Sequence, residues 1–81
     1  MLHIKQRFLD NIEPVPESGC WLWIGSTFKS QGYGRITYKQ KYYRAHRLSY
    51  MLYNGPVPVN MQVCHTCDVG LCVNPMHLWL G

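Results

Sequence analysis

The chain has 81 residues, which bounds it to one domain with a small core, a size at which a metal or disulfide often serves as a staple. It is 47% hydrophobic and 15% charged with no low-complexity run, which excludes a disordered or fibrous chain. Eight Lys and Arg against four acids give a net charge of +4, a modest push towards a polyanionic partner, and no apolar run approaches the roughly 18 residues of a membrane span.

Residues 4–12 are expected to form a short helix, with Ile4, Phe8 and Leu9 or Ile12 at helical spacing and EPVPES ending it. CWLWI (20–24), bounded by Gly19 and Gly25, has the pattern of a strand, and STFKSQG that of a loop. YGRITYK (33–39) predicts a second strand with Tyr33, Arg35, Thr37 and Lys39 on one face. KQK is a turn, and a short strand through Tyr42 and Tyr43 follows. RAHRLSYMLYN (44–54) is the best helix, with Ala45, Leu48 and Leu52 as its apolar stripe, Gly55 as its stop and Pro56 and Pro58 preventing continuation. VPVNMQVCH then runs extended, and HLWLG at 77–81 is expected to pair back on MQVCH as a hairpin. Trp21 and Trp23 are assigned to the core, and Tyr50 and Tyr53, on a helix face with His46, to covering the sheet. The expected class is therefore one small α+β unit over residues 1–81.

The chemistry concentrates in CHTCDVGLCVNPMH (64–77), which holds three of the four cysteines and two of the four histidines. The start, MLHIKQRFLDNI, is too broken by charge for a secretory signal, so a cytoplasmic, reducing setting is expected, where clustered Cys and His favour metal over disulfide. Cys64, Cys67, Cys72 and His77 are separated by two, four and four residues, intervals that let a turn gather thiolates and imidazole around a tetrahedral zinc ion. These are the intervals of a zinc knuckle with the last Cys and His exchanged, which allows a single-strand nucleic-acid binder. Cys20 could equally replace Cys64, because zinc does not need contiguous ligands. Arg35, Lys39, Lys41, Arg44 and Arg47 form a candidate phosphate-contacting patch.

CHTCDVGLCVNPMHLWLG resembles the phage-type HNH endonucleases, in particular the His-Cys box branch of the His-Me finger (ββα-metal) nucleases. The pattern H-x-C, four residues, C, x, N-P-x-H-L falls on His65, Cys67, Cys72, Asn74, Pro75, His77 and Leu78. SGCWLW, GYGRI, AHRLSY and NGPVP are similar to the phage members in order and spacing, so the resemblance covers nearly the whole chain.

The resemblance implies a zinc-stapled His-Me finger fold and an endonuclease cleaving DNA phosphodiester bonds. Cys20, Cys67, Cys72 and His77 would be structural zinc ligands. His65 would be the general base, taking a proton from the attacking water, and Arg35 would stabilise charge on the phosphate. Arg35, Thr37, Lys39, Lys41 and Arg44 would contact nucleic acid, and Asn74 would brace its turn. Family members also hold a catalytic divalent cation, commonly magnesium, through an Asn or His on a helix after the finger hairpin and an Asp just before the base. Here Cys64 precedes the base, Asp68 is assigned to a different turn, and the final finger helix is expected to be missing. The alternative implied is a catalytically inert HNH-derived module that binds nucleic acid or a protein, for example a phage-encoded inhibitor of a host defence nuclease such as an anti-CRISPR. The host-cell cytosol is the expected setting if the chain is phage-encoded.

Overall fold

The computed structural model describes residues 2–28 and 32–81. In chain order it has α1 (Leu2–Leu9), β1 (Ile12–Pro14), β2 (Trp21–Trp23), β3 (Arg35–Tyr38), β4 (Lys41–Arg44), α2 (Ala45–Asn54), β5 (Val63–His65), a 3-10 turn (Pro75–His77) and β6 (Leu78–Leu80). The strands pair as three antiparallel ladders, β1 with β2, β3 with β4, and β5 with β6. The α+β class and the β5–β6 hairpin agree with the sequence pattern, and Cys64 pairs with Trp79 and His65 with Leu78 in its register. The part of STFKSQG at 29–31 lies outside the described residues.

The first helix is shorter than its apolar spacing suggested. It ends at Leu9, and Ile12 begins β1, which pairs with Trp23. Pro14 sits at the end of β1, a position where its missing N–H costs no ladder bond inside a sheet. Strand β2 is three residues, so Cys20 lies just before it and Ile24 projects to solvent. Strand β3 starts at Arg35 rather than Tyr33 and stops at Tyr38. Lys39 and Gln40 then turn with φ of 49° and 65°, the doubly left-handed geometry that matches strand twist in a two-residue hairpin. Arg44 closes β4 with extended backbone, so α2 begins at Ala45.

The core gathers Ile4 and Phe8 of α1, Trp23 of β2, Ile36 of β3, Ala45 and Leu48 of α2, and Val73. Phe8 stacks on Trp23 at 5.9 Å, and the Trp23 Nε1–H donates to Ser26 O at 2.7 Å. Trp21 is only half-buried and meets Tyr53 edge-on at 6.1 Å. On α2 the buried face is Ala45, His46, Leu48 and Ser49, with Leu52 at its margin. Ser49 Oγ donates to Val73 O at 2.6 Å, fastening the helix to the segment that carries Cys72.

Candidate metal centre and active site

Backbone pairing brings Cys20 to the C-terminal cluster. A turn closed by Gly19 N to Val15 O and Val15 N to Cys20 O, each 2.8 Å, delivers Cys20 at the head of β2. Gly19 takes φ of 76° there, a left-handed conformation in which a side chain would be strained. Trp23 N then donates to Leu71 O at 2.8 Å and Val73 N to Trp21 O at 2.7 Å, so β2 lies along residues 71–73. Asn74 completes the attachment: its Nδ2 donates to Gly19 O at 2.6 Å, and its Oδ1 accepts from Met76 N at 2.9 Å, capping the turn that presents His77.

One donor atom from each of Cys20, Cys67, Cys72 and His77 lies within 4.8 Å of every other, a group that could hold a metal ion. His77 Nδ1 is 3.7 Å from Cys20 Sγ and 3.4 Å from Cys72 Sγ. Metal–sulfur bonds near 2.3 Å and metal–nitrogen bonds near 2.0–2.1 Å at a tetrahedral angle imply an S···N edge of about 3.6 Å, which these distances bracket. Burial pushes the Cys72 thiol up to about 12. Burial also opposes ionisation of Cys20, but hydrogen bonds with Ser18, Cys72 and Cys67 outweigh it and draw this thiol down. Cys64 stands outside the group; its Sγ is 4.0 Å from Gln62 O, and it lines a cleft with Trp79.

His65, at the end of β5, is held by the same loop. Its Nε2 lies 3.0 Å from Cys72 O, and because a carbonyl only accepts, Nε2 carries the hydrogen and Nδ1 keeps its lone pair. Burial lowers its pKa, favouring the neutral ring, with the Cys72 carbonyl and Asp68 pulling the other way. It faces a cleft of about 370 Å³ walled by Tyr33, Cys64, Asp68, Gly70 and Trp79. Asp68, in the turn after β5 with φ of 57°, lines the same cleft. Tyr33 is parallel to His65 at 6.1 Å, and His46, from the first turn of α2, is 4.7 Å away.

Residues 43–81 match the model of the HNH endonuclease family. Over this C-terminal part the chain is similar to HNH nucleases. It is similar to two proteins of Escherichia phage T7. With Protein 2.8 it is 34% identical over 82 residues, covering 99% of this chain and 54% of that protein. With Protein 7.7 it is 42% identical over 62 residues, covering 76% of this chain and 47% of that protein. The chain thus spans about half the length of the curated relatives it matches. No solved structure matches it. Among the described residues no helix is long and apolar enough to cross a membrane.

The basic residues expected on one surface divide. Arg35 pairs across the ladder with Arg44, and Thr37 with Tyr42, so these four share a face. Lys41 pairs with Tyr38 on the opposite face, and Lys39, in the turn, lies 5.4 Å over the Tyr38 ring. Arg35 is not brought to His65. Its guanidinium lies over Tyr42 at 5.1 Å, and it lines a separate cleft with Arg7, Asn11 and Trp23. The cations next to the histidines are Arg44 and Arg47, which line a cleft of about 200 Å³ with Tyr33, His46 and Gln62. His46 lies on the buried face of α2.

Proposed function

We propose that the chain is a DNA endonuclease domain in which His65 is the general base and a structural zinc ion is held by Cys20, Cys67, Cys72 and His77. One observation carries this assignment: Nε2 of His65 is committed to the carbonyl of Cys72, a ligand residue, so Nδ1 is the basic atom in the cleft. His65 takes the proton of the attacking water through that nitrogen. Three thiolates and one imidazole suit zinc, and four protein donors leave no open position, the mark of a structural rather than a catalytic ion. Arg44 and Arg47, beside His46, offset charge on the phosphate, the role expected of Arg35 from sequence. Arg35, Thr37 and Arg44, with Lys39 and Lys41 at the turn, contact the strand's backbone phosphates. A catalytic divalent cation such as magnesium would polarise the scissile phosphate, and Asp68 is the carboxylate of the His65 cleft suited to face it.

That cleft has a single carboxylate among its lining residues, which favours a second assignment: an inert HNH-derived module that binds nucleic acid or a protein partner, such as an anti-CRISPR inhibitor of a host nuclease. Incubation of the purified chain with plasmid and Mg²⁺ or Mn²⁺ separates the two. The nuclease assignment expects nicking or cleavage that drops by about 10²–10⁴-fold in His65→Ala. No cleavage with either metal, together with capture of a defined partner, sinks it.

A further inference from the structure

We propose that His46 is a positioning residue for His65, its ring forming the wall that keeps the base imidazole turned with Nδ1 to the cleft. This rests on the assignment of His65 as base. The Cβ–Cγ bond and one hydrogen bond, from Nε2 to Cys72 O, hold the His65 ring at two points and leave its plane to tilt about the line between them. Flat neighbours remove that freedom. His46 lies 4.7 Å from His65 with 36° between the planes, Tyr33 lies 4.8 Å from His46, and Tyr33 is 6.1 Å from His65 at 6°. The three rings close a triangle.

The wall is itself anchored to the strand that carries the base. His46 makes a hydrogen bond to the backbone of Val63, two residues before His65 on β5, so wall and base move together. The ring is 5% exposed, and its Nδ1 is buried with no hydrogen-bond partner among the described residues. An unpaired buried nitrogen is a cost that a purely apolar side chain would avoid, so packing alone does not account for a histidine here. What the imidazole adds is a flat ring with a backbone anchor. Held neutral, it also places no charge against the imidazolium that forms on His65.

The test uses the full 81-residue chain loaded with zinc, in wild type, His46→Gln (anchor without ring), His46→Phe (ring without anchor) and Tyr33→Leu. The ring nitrogen signals of His65 are read by ¹⁵N NMR without substrate. Wild type is expected to show one tautomer with hydrogen on Nε2. His46→Gln and Tyr33→Leu are expected to show a tautomer mixture with metal content unchanged, and His46→Phe to recover part of the single form. On cleaved DNA the same two variants lose roughly 10–100-fold in kcat with KM nearly constant. A single Nε2–H tautomer persisting in folded, metal-loaded His46→Gln or Tyr33→Leu overturns the proposal. Tyr33 is only half-buried, so its variant keeps the test open if the His46 variants do not fold. The spectrum needs no activity, so this inference is decided whether or not the nuclease assignment survives its own test.

Discussion

Cys20 and Cys64 have the same chemistry and opposite surroundings, so exchanging each for serine separates ligand from bystander. Cys20→Ser is expected to lower bound zinc well below one ion per chain, and Cys64→Ser to leave it at one, read by elemental analysis of the purified proteins. Equal loss in both would mean that Cys64 reaches the ion. The spacing of Cys67, Cys72 and His77 was legible because a turn of a few residues dictates who can meet. Spacing left the fourth position open between Cys20 and Cys64, and only the resemblance implied Cys20, because nothing in the interval between residues 20 and 67 encodes the pairing of β2 with residues 71–73 that brings Cys20 in. His46 offers a second test. Burial, with His65 and then Arg44 and Arg47 adding to it against a Val63 backbone bond, pushes its pKa down to about 4 from 6.5. The unfolded chain therefore takes up a proton below pH 6.5 that the folded chain refuses until about pH 4. Stability is expected to fall through this window, by up to about 3 kcal/mol from this one group. Denaturant unfolding at pH 7 and 4.5 should show a smaller acid loss in His46→Gln than in wild type, and acid loss of metal is common to both chains.

Among the elements, α2 and the two C-terminal strands were readable from periodicity and stop signals. β1 was hidden by Pro14, which looks like a break yet is tolerated at the end of a short edge strand. The β3–β4 turn asks two L-residues to adopt left-handed backbone, at a cost of roughly 1–2 kcal/mol each. Gln40→Gly is expected to recover about 0.5–1 kcal/mol of it, after the entropy of the freer unfolded chain is counted, as a rise in the thermal midpoint. The opposite outcome is expected at Gly34, where a Cβ would overlap the Trp23 indole and stand 2.9 Å from the Ala45 methyl. Gly34→Ala should cost about 1–3 kcal/mol by overpacking, measured by denaturant unfolding; an unchanged midpoint would mean that β3 can draw back from the core.

At the scale of the molecule, the three ladders have two strands each, and a lone two-stranded hairpin is marginal in water. The shared core and the Cys20–Cys67–Cys72–His77 group tie them together. On the proposed assignment of zinc to that group, chelation should lower the thermal midpoint of the whole fold rather than loosen one loop, as seen by far-UV circular dichroism with excess chelator and reversed by added Zn²⁺. A midpoint unmoved by metal removal would assign the fold to its core alone. Cys20 and His77, whose donor atoms are 3.7 Å apart in space, are 57 residues apart in the chain. During synthesis at roughly 5–20 residues per second, Cys20 emerges several seconds before its partners. Throughout that interval the nascent chain presents an uncommitted thiol and the open edge of β2, which later meets residues 71–73, to chaperones, oxidants and proteases. Arrest of translation just before Cys72 should leave a protease-sensitive amino-terminal half, whereas arrest far enough beyond Gly81 to clear the ribosome should protect it in one step.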